Sequence, residues 1–282
     1  MAITRRRIIS FVALALTLTL PACEEKEDKK PTEQKATAEP KEDEQKEEEK
    51  PEATGPSPKE PHSSSIAGTE NQLLHDDDIP GASMTVAAPK DGATLDSGKK
   101  VEVKLDVKNY RTGEEIGQHV HVILDNNPYI AHYNADEPLV LEDVKPGTHT
   151  IRAFPARHYH LSLKKGDVFD TVTFHVKEKS KDFGFDPSKP YVTYSRPKGT
   201  YSQEAAKDLL LDFYVQNVEL GEDAKVVYGV DGEENELTEW KPVLLEPLEP
   251  GEHEITLKLV DGDGKVIKNG GYNNTTRTIT VE

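Results

Sequence analysis

From Ala82 onward the sequence predicts an all-β chain folded as two tandem antiparallel β-sandwiches. Three observations point there. Apolar and polar residues alternate with period two, turn residues punctuate that alternation every eight to twelve positions, and part of the pattern occurs twice. The repeat is clearest where Pro138–His149 (PLVLEDVKPGTH) returns as Pro242–His253 (PVLLEPLEPGEH), identical at six of twelve positions.

The chain begins differently. Arg5, Arg6 and Arg7 precede a thirteen-residue apolar segment, Ile8 to Leu20. A bilayer span needs about 20 residues, so the segment suits the core of a signal peptide covering residues 1–22. Leu20-Pro21-Ala22-Cys23 resembles the lipobox of bacterial lipoproteins. That resemblance implies cleavage before Cys23, a diacylglycerol thioether on its sulfur, and a membrane held through the acyl chains at about 0.8 kcal/mol per buried CH₂. Glu24 after the cysteine resembles the residues that permit sorting to an outer membrane, where a cell has one.

Residues 24–60 hold fourteen acidic residues, eight lysines and no large apolar side chain. Such a stretch cannot offset its chain entropy by burial, so residues 23–79 are expected to form a disordered acidic linker. With a reach of roughly 40 Å, it reads as a spacer. The Asp76–Asp78 run lacks an EF-hand-like spacing. The formal charge is −17, and removing the three arginines leaves about −20. Clustered cations for phosphate binding are missing, so no nucleic acid is expected as a partner. Cys23 is the single cysteine, which excludes internal disulfides and, once acylated, thiolate chemistry.

The first sandwich is expected over residues 80–180. Val101, Val103, Leu105 and Val107 mark one half-buried strand, and Val120, Val122 and Leu124 the next. After the Pro146-Gly147 turn comes a strand around Ile151, and Val172, Phe174 and Val176 mark the last. The second sandwich, 181–282, repeats the series with Leu209/Leu211/Phe213/Val215, Val226/Tyr228/Val230, Ile255/Leu257/Leu259 and Ile279/Val281. Glu204 to Leu211 could start a helix, but the continuing alternation argues for strand. Order and spacing resemble the immunoglobulin or fibronectin type III arrangement; the alternative is another Greek-key sandwich, of the copper–zinc superoxide dismutase type. Gly117–Tyr129 (GQHVHVILDNNPY), Thr193–Tyr201 (TYSRPKGTY), Leu209–Asn217 (LLLDFYVQN) and Tyr272–Arg277 (YNNTTR) resemble segments of a family of exported bacterial proteins, cyanobacterial members among them. The resemblance implies the two-domain reading and no catalytic role.

Four histidines stand out from ten. Residues i and i+2 of a strand share a face. With Val120 and Val122 inward, His119 and His121 project from the outer face. In an immunoglobulin-like topology the segment after the sixth strand of the fold, Ala156-Arg157-His158-Tyr159-His160, ends beside them. Two H-x-H pairs thus meet at one corner, with His132 a weaker neighbour. In the second copy the aligned residues are Lys225, Val227, Gly262 and Gly264, so the pairs are not part of the common framework. Imidazole is the commonest ligand for Zn²⁺ and also suits Cu²⁺. His119, His121, His158 and His160 are therefore the candidate metal ligands. His149 and His253, equivalent after the Pro-Gly turns, read as structural, and His175 as lying on a solvated face. Gly117-x-His119-Val120-His121 also resembles the copper-ligand strand of copper–zinc superoxide dismutases, but no disulfide pair, zinc loop or later histidine set accompanies it. No nucleophile triad, P-loop or dinucleotide loop sits beside a strand–helix unit, so no enzyme is expected. The leading expectation is a membrane-anchored, non-catalytic binding or scaffold module with an envelope protein or glycan partner. The alternative is Zn or Cu(II) binding or delivery through the four histidines.

Overall fold

A computed structural model describes residues 79–282. The signal segment, Cys23 and the acidic linker to Asp78 lie outside the described residues, as do His62 and His75. Eight strands make the first sandwich: β1 (Ser83–Ala88), β2 (Thr94–Leu95), β3 (Lys100–Lys108), β4 (His119–Leu124), β5 (Ile130–His132), β6 (Leu139–Glu142), β7 (Gly147–Ala156) and β8 (Asp170–Val176). One sheet has the order β1-β3-β6 and the other β2-β8-β7-β4-β5. The second sandwich contains β9 (Tyr191–Arg196), β10 (Gly199–Tyr201), β11 (Leu210–Gln216), β12 (Ala224–Val230), β13 (Glu233–Leu237), β14 (Val243–Leu244), β15 (Gly251–Asp261) and β16 (Asn274–Val281). Its sheets are β14-β11-β9 and β10-β16-β15-β12-β13.

The two strand orders are the same when matched element for element. In both, the short second strand pairs in parallel with the last, Thr94 with His175 and Gly199 with Ile279, while the other ladders are antiparallel. This is the immunoglobulin/fibronectin III-like arrangement that the alternation predicts. The sister folds agree in detail. Asp125 and Asp231 both take left-handed backbone (φ 54° and 50°) after the fourth strand of each copy. Each carboxylate accepts a backbone N–H from the facing strand, Thr150 at 2.9 Å and Glu254 at 2.8 Å. Glu204 to Leu211 is resolved into one 3-10 turn, Ala205–Asp208, followed by β11.

Inward residues fill two cores. Val101, Val120, Val122, Ile151, Phe174 and Val176 lie in the first, and Val192, Leu211, Phe213, Val226, Ile255 and Leu257 in the second. The outward faces of β4, β7, β9 and β11 are also buried, each residue of β9 included. They are buried against each other. Ile123, Tyr129 and Phe154 of the first sandwich pack with Tyr214 of the second, and Phe169 and Trp240 close the cluster. Tyr159 and Leu161 pack with Leu210 and Leu244.

Polar groups cross the same joint and find partners there, although Arg152 Nε and Arg277 Nε are buried without one among the described residues. Arg152, fully buried, donates to Thr193 Oγ1 at 2.8 Å and to the Asp125 carbonyl. Lys164 Nζ lies 2.7 Å from Asp212 Oδ1, and Ser162 Oγ donates to Asp212 Oδ2 at 2.7 Å. Arg277 donates to the Asn127 carbonyl at 3.1 Å. The sandwiches thus form one body joined by an aromatic and ionic seam, and the histidine corner lies in that seam.

Candidate metal centre

His119 and His121 stand two apart on β4 and face outward, as the alternation predicts. They pair with Ala156 and Phe154 of β7, so the end of β7 lies beside the start of β4. The outer face is not solvated: both rings have 0% exposure, His121 reaching Ser195 of the second sandwich and His119 enclosed by His121, Tyr133 and His160. Nδ1 of His119 donates to the Gly117 carbonyl at 2.8 Å. A carbonyl can only accept, so the proton is on Nδ1 and the Nε2 lone pair points inward, the usual way an outer partner sets the tautomer of a ligating histidine. Gly117 itself has φ +71°, and a Cβ there would meet His158 Cβ at 2.7 Å. No other residue fits both constraints.

His121 places Nε2 2.9 Å from His119 Nε2, and its Nδ1 lies 3.0 Å from Ser195 Oγ of β9. The Tyr129 ring stacks on it at 3.6 Å and 10°. His160 comes from the hairpin that follows β7. Its Nδ1 lies 3.0 Å from His119 Nε2 and 3.2 Å from the Tyr129 hydroxyl. The hairpin closes through His160 N to Arg157 O (2.8 Å) and Arg157 N to Leu161 O (2.9 Å). This is a type I turn followed by a left-handed residue, the position at which a G1 bulge takes glycine. His160 occupies it with φ +66°.

The second sandwich supplies the comparison. There the hairpin closes through Gly264 N to Asp261 O (2.9 Å) and Asp261 N to Lys265 O (2.8 Å), and Gly264 has φ +79°. The same backbone therefore carries glycine in one copy and an imidazole aimed at two others in its sister.

Of the four predicted ligands, the fold brings His119, His121 and His160 together, their candidate ligand atoms within 4.8 Å of one another. His158 is exposed and turns against Tyr159, outside that group. His132 Nε2 donates to the Glu137 carbonyl at 2.9 Å and stands apart from it. His149 and His253 share one structural role: each spans an aspartate and a carbonyl, Asp125 and Lys145 O in one copy, Asp231 and Glu249 O in the other. His175 departs from its expected solvated face. It is 6% exposed, with Nδ1 3.0 Å from Thr148 Oγ1, because β2 pairs beside it.

Burial first, and then the other two imidazoles with Arg196 and Lys198, holds His121 well below the ordinary imidazole range. Burial, followed by Arg196, lowers His160 as well. Both rings are neutral at physiological pH, the form that binds metal. Three ligands at the 2.0–2.1 Å usual for zinc–imidazole bonds would stand about 3.3–3.4 Å apart in a tetrahedron. The two separations from His119 Nε2 are a few tenths shorter than that, and His121 and His160 stand up to 4.8 Å apart, so the outer two rings must close in for one ion to reach all three. Ser195, Tyr129, Arg196 and Lys198 complete the surroundings. Their part was hidden in the sequence because three of the four belong to the other sandwich.

No family model matches the chain, and no curated protein matches it. Among solved structures it is similar to the fibronectin(III)-like modules of Clostridium thermocellum CbhA, at 17% identity over 71% of this chain and 94% of that one, TM-score 0.26. It is also similar to the Bacteroides ovatus mixed-linkage glucan utilization protein SGBP-B, solved with a mixed-linkage heptasaccharide (12%, 71% and 70%, TM-score 0.21). The tandem V-type regions of the chitin binding protein VCBP3 match at 9% over 71% and 99%, TM-score 0.23. With TM-scores this low, the fold assignment stands on strand order.

Proposed function

We propose that this chain is an exported, lipid-anchored, non-catalytic binding module that holds one divalent metal ion, Zn²⁺ or Cu²⁺, on His119, His121 and His160. One observation carries the reading. Three buried imidazoles bring ring nitrogens within 4.8 Å of one another, and one of them does so from a left-handed position that the sister hairpin gives to glycine. Strained backbone of this kind persists where something else over-determines it. A single lone pair on His119 Nε2 serves one linear hydrogen bond, whereas a cation between the rings engages all three. Export and anchoring rest on the Arg-rich start, the apolar segment and Cys23. Zinc or copper(II) fits a set with nitrogen donors and no thiolate.

Calorimetric titration of the chain carrying Cys23→Ala tests this. The expected result is one Zn²⁺ or Cu²⁺ per chain, lost in a His119→Ala/His160→Ala double variant and retained in His158→Ala. Binding that ignores the double variant sinks the site. No binding at all returns the protein to a module for an envelope protein or glycan partner.

A further inference from the structure

Three neutral imidazoles leave a divalent ion with its full charge, in a buried place already flanked by cations. Arg196 Nη1 lies 3.4 Å from the Tyr129 hydroxyl, and the Lys198 ammonium stands 4.4 Å from the centroid of the Tyr129 ring. Arg196 is 3% exposed and Lys198 7%. A bare dication entering there meets repulsion that water cannot screen, so it must bring or find an anion.

We propose that Tyr129 is that anion: its phenolate oxygen is the fourth ligand, completing an N₃O set with His119, His121 and His160. The inference rests on the metal reading above and deepens it. The phenol is 2% exposed and already in place, its oxygen 3.2 Å from His160 Nδ1. The stack on His121 keeps the ring from swinging away. Along the row His121–His119–His160–Tyr129 the separations are 2.9, 3.0 and 3.2 Å, near the tetrahedral edge of about 3.3–3.4 Å that bonds of 2.0–2.1 Å give, and closing the 4.8 Å span of the imidazole nitrogens is the movement that binding requires. When the metal–oxygen bond forms, the phenol proton passes to water and the complex loses one unit of positive charge. Arg196 then donates to a phenolate rather than a phenol, and Lys198 faces an electron-richer ring, so both cations favour the loaded state. A phenolate is a harder donor than thiolate or thioether and favours Cu²⁺ over Cu⁺.

The probe is Cu²⁺ added to the full chain carrying Cys23→Ala. Expected is an intense visible phenolate-to-copper charge-transfer absorption, absent in Tyr129→Phe and retained in Tyr133→Phe, whose ring lies 4.7 Å from His119 in the wild type. Phenylalanine keeps the stack on His121. Its Cu²⁺ affinity is expected to fall at least about tenfold, the lower end of what loss of an outer-shell partner costs. Resonance Raman spectra of the copper-loaded wild type must show tyrosinate ring modes, a reading that needs no variant. Copper held one-to-one through His119 without the band, or with a band that survives Tyr129→Phe, overturns the Tyr129 assignment and leaves the imidazole site standing. A chain that takes up no copper overturns the Tyr129 assignment, and one that takes up no Zn²⁺ either overturns the imidazole site as well.

Discussion

His160 illustrates how one dihedral angle separates two readings of a side chain. A non-glycine residue in left-handed backbone costs roughly 1–2 kcal/mol, and Gly264 shows that the same hairpin forms without that cost. His160→Gly removes the strain and leaves a small space beside His119. In the metal-free protein the urea midpoint is expected to shift by no more than about 1 kcal/mol in stability, while stabilisation by added Zn²⁺ disappears. A metal-free loss of several kcal/mol would mean instead that the ring is kept for packing. His253 and His149 behave in the opposite electrostatic sense. The bond to Asp231 raises His253, and for His149 burial opposes the charge but the Asp125 hydrogen bond, the Asp125 charge and the Lys145 carbonyl together outweigh it. Both nitrogens of each ring face acceptors, so the imidazolium fits best. A folded pKa above the unfolded value gives stability that is complete below about 6.5 and lost as pH rises through the folded pKa. NMR titration is expected to place both rings above the ordinary imidazole value, and Asp231→Asn to bring His253 down. If His253 titrates unchanged in that variant, the ion pair is not what holds it.

At the scale of strands and hairpins, the period-two signal carried far. It located the cores through Val120, Val122, Leu211 and Phe213, and it put His119 and His121 on a shared face. The resemblance to the immunoglobulin topology, not the periodicity, put the end of β7 beside the start of β4. What it did not reveal follows from the same physics. Alternation reports which residues face the nearer core and reads the remainder as solvated. In β11 the remainder is Leu210, Asp212 and Tyr214, and in β7 it includes Arg152 and Phe154, all buried. Leu209 to Leu211 and Phe213 to Val215 are apolar on both faces, which is the pattern of a doubly covered strand; that signal was present and could have exposed the seam. The fate of His158 had no such signal. Only the twist of a type I turn with its left-handed third residue turns 158 outward and 160 inward.

Across the whole molecule, the seam makes two repeats into one folding unit. Asp212 has no exposed side-chain surface and Lys164 retains 10%. Removing the carboxylate strands a buried ammonium, a change that costs about 3–5 kcal/mol. Asp212→Ala is therefore expected to lower stability by that amount and to split a single calorimetric transition of the wild type into two. Two transitions already in the wild type would show that the seam is weaker than its contacts suggest. Because Ser195, Arg196 and Lys198 belong to the second repeat, loss of the seam also takes the neighbours of His121 and Tyr129 away. There is a consequence for biogenesis as well. Synthesis proceeds from the amino end, so Ile123, Tyr129 and Phe154 emerge roughly 60 to 90 residues ahead of Tyr214, which will cover them. For that interval the nascent chain displays a sticky aromatic sheet of the sort that recruits chaperones or its own kind, and its safe delivery depends on how quickly the remainder of the polypeptide arrives.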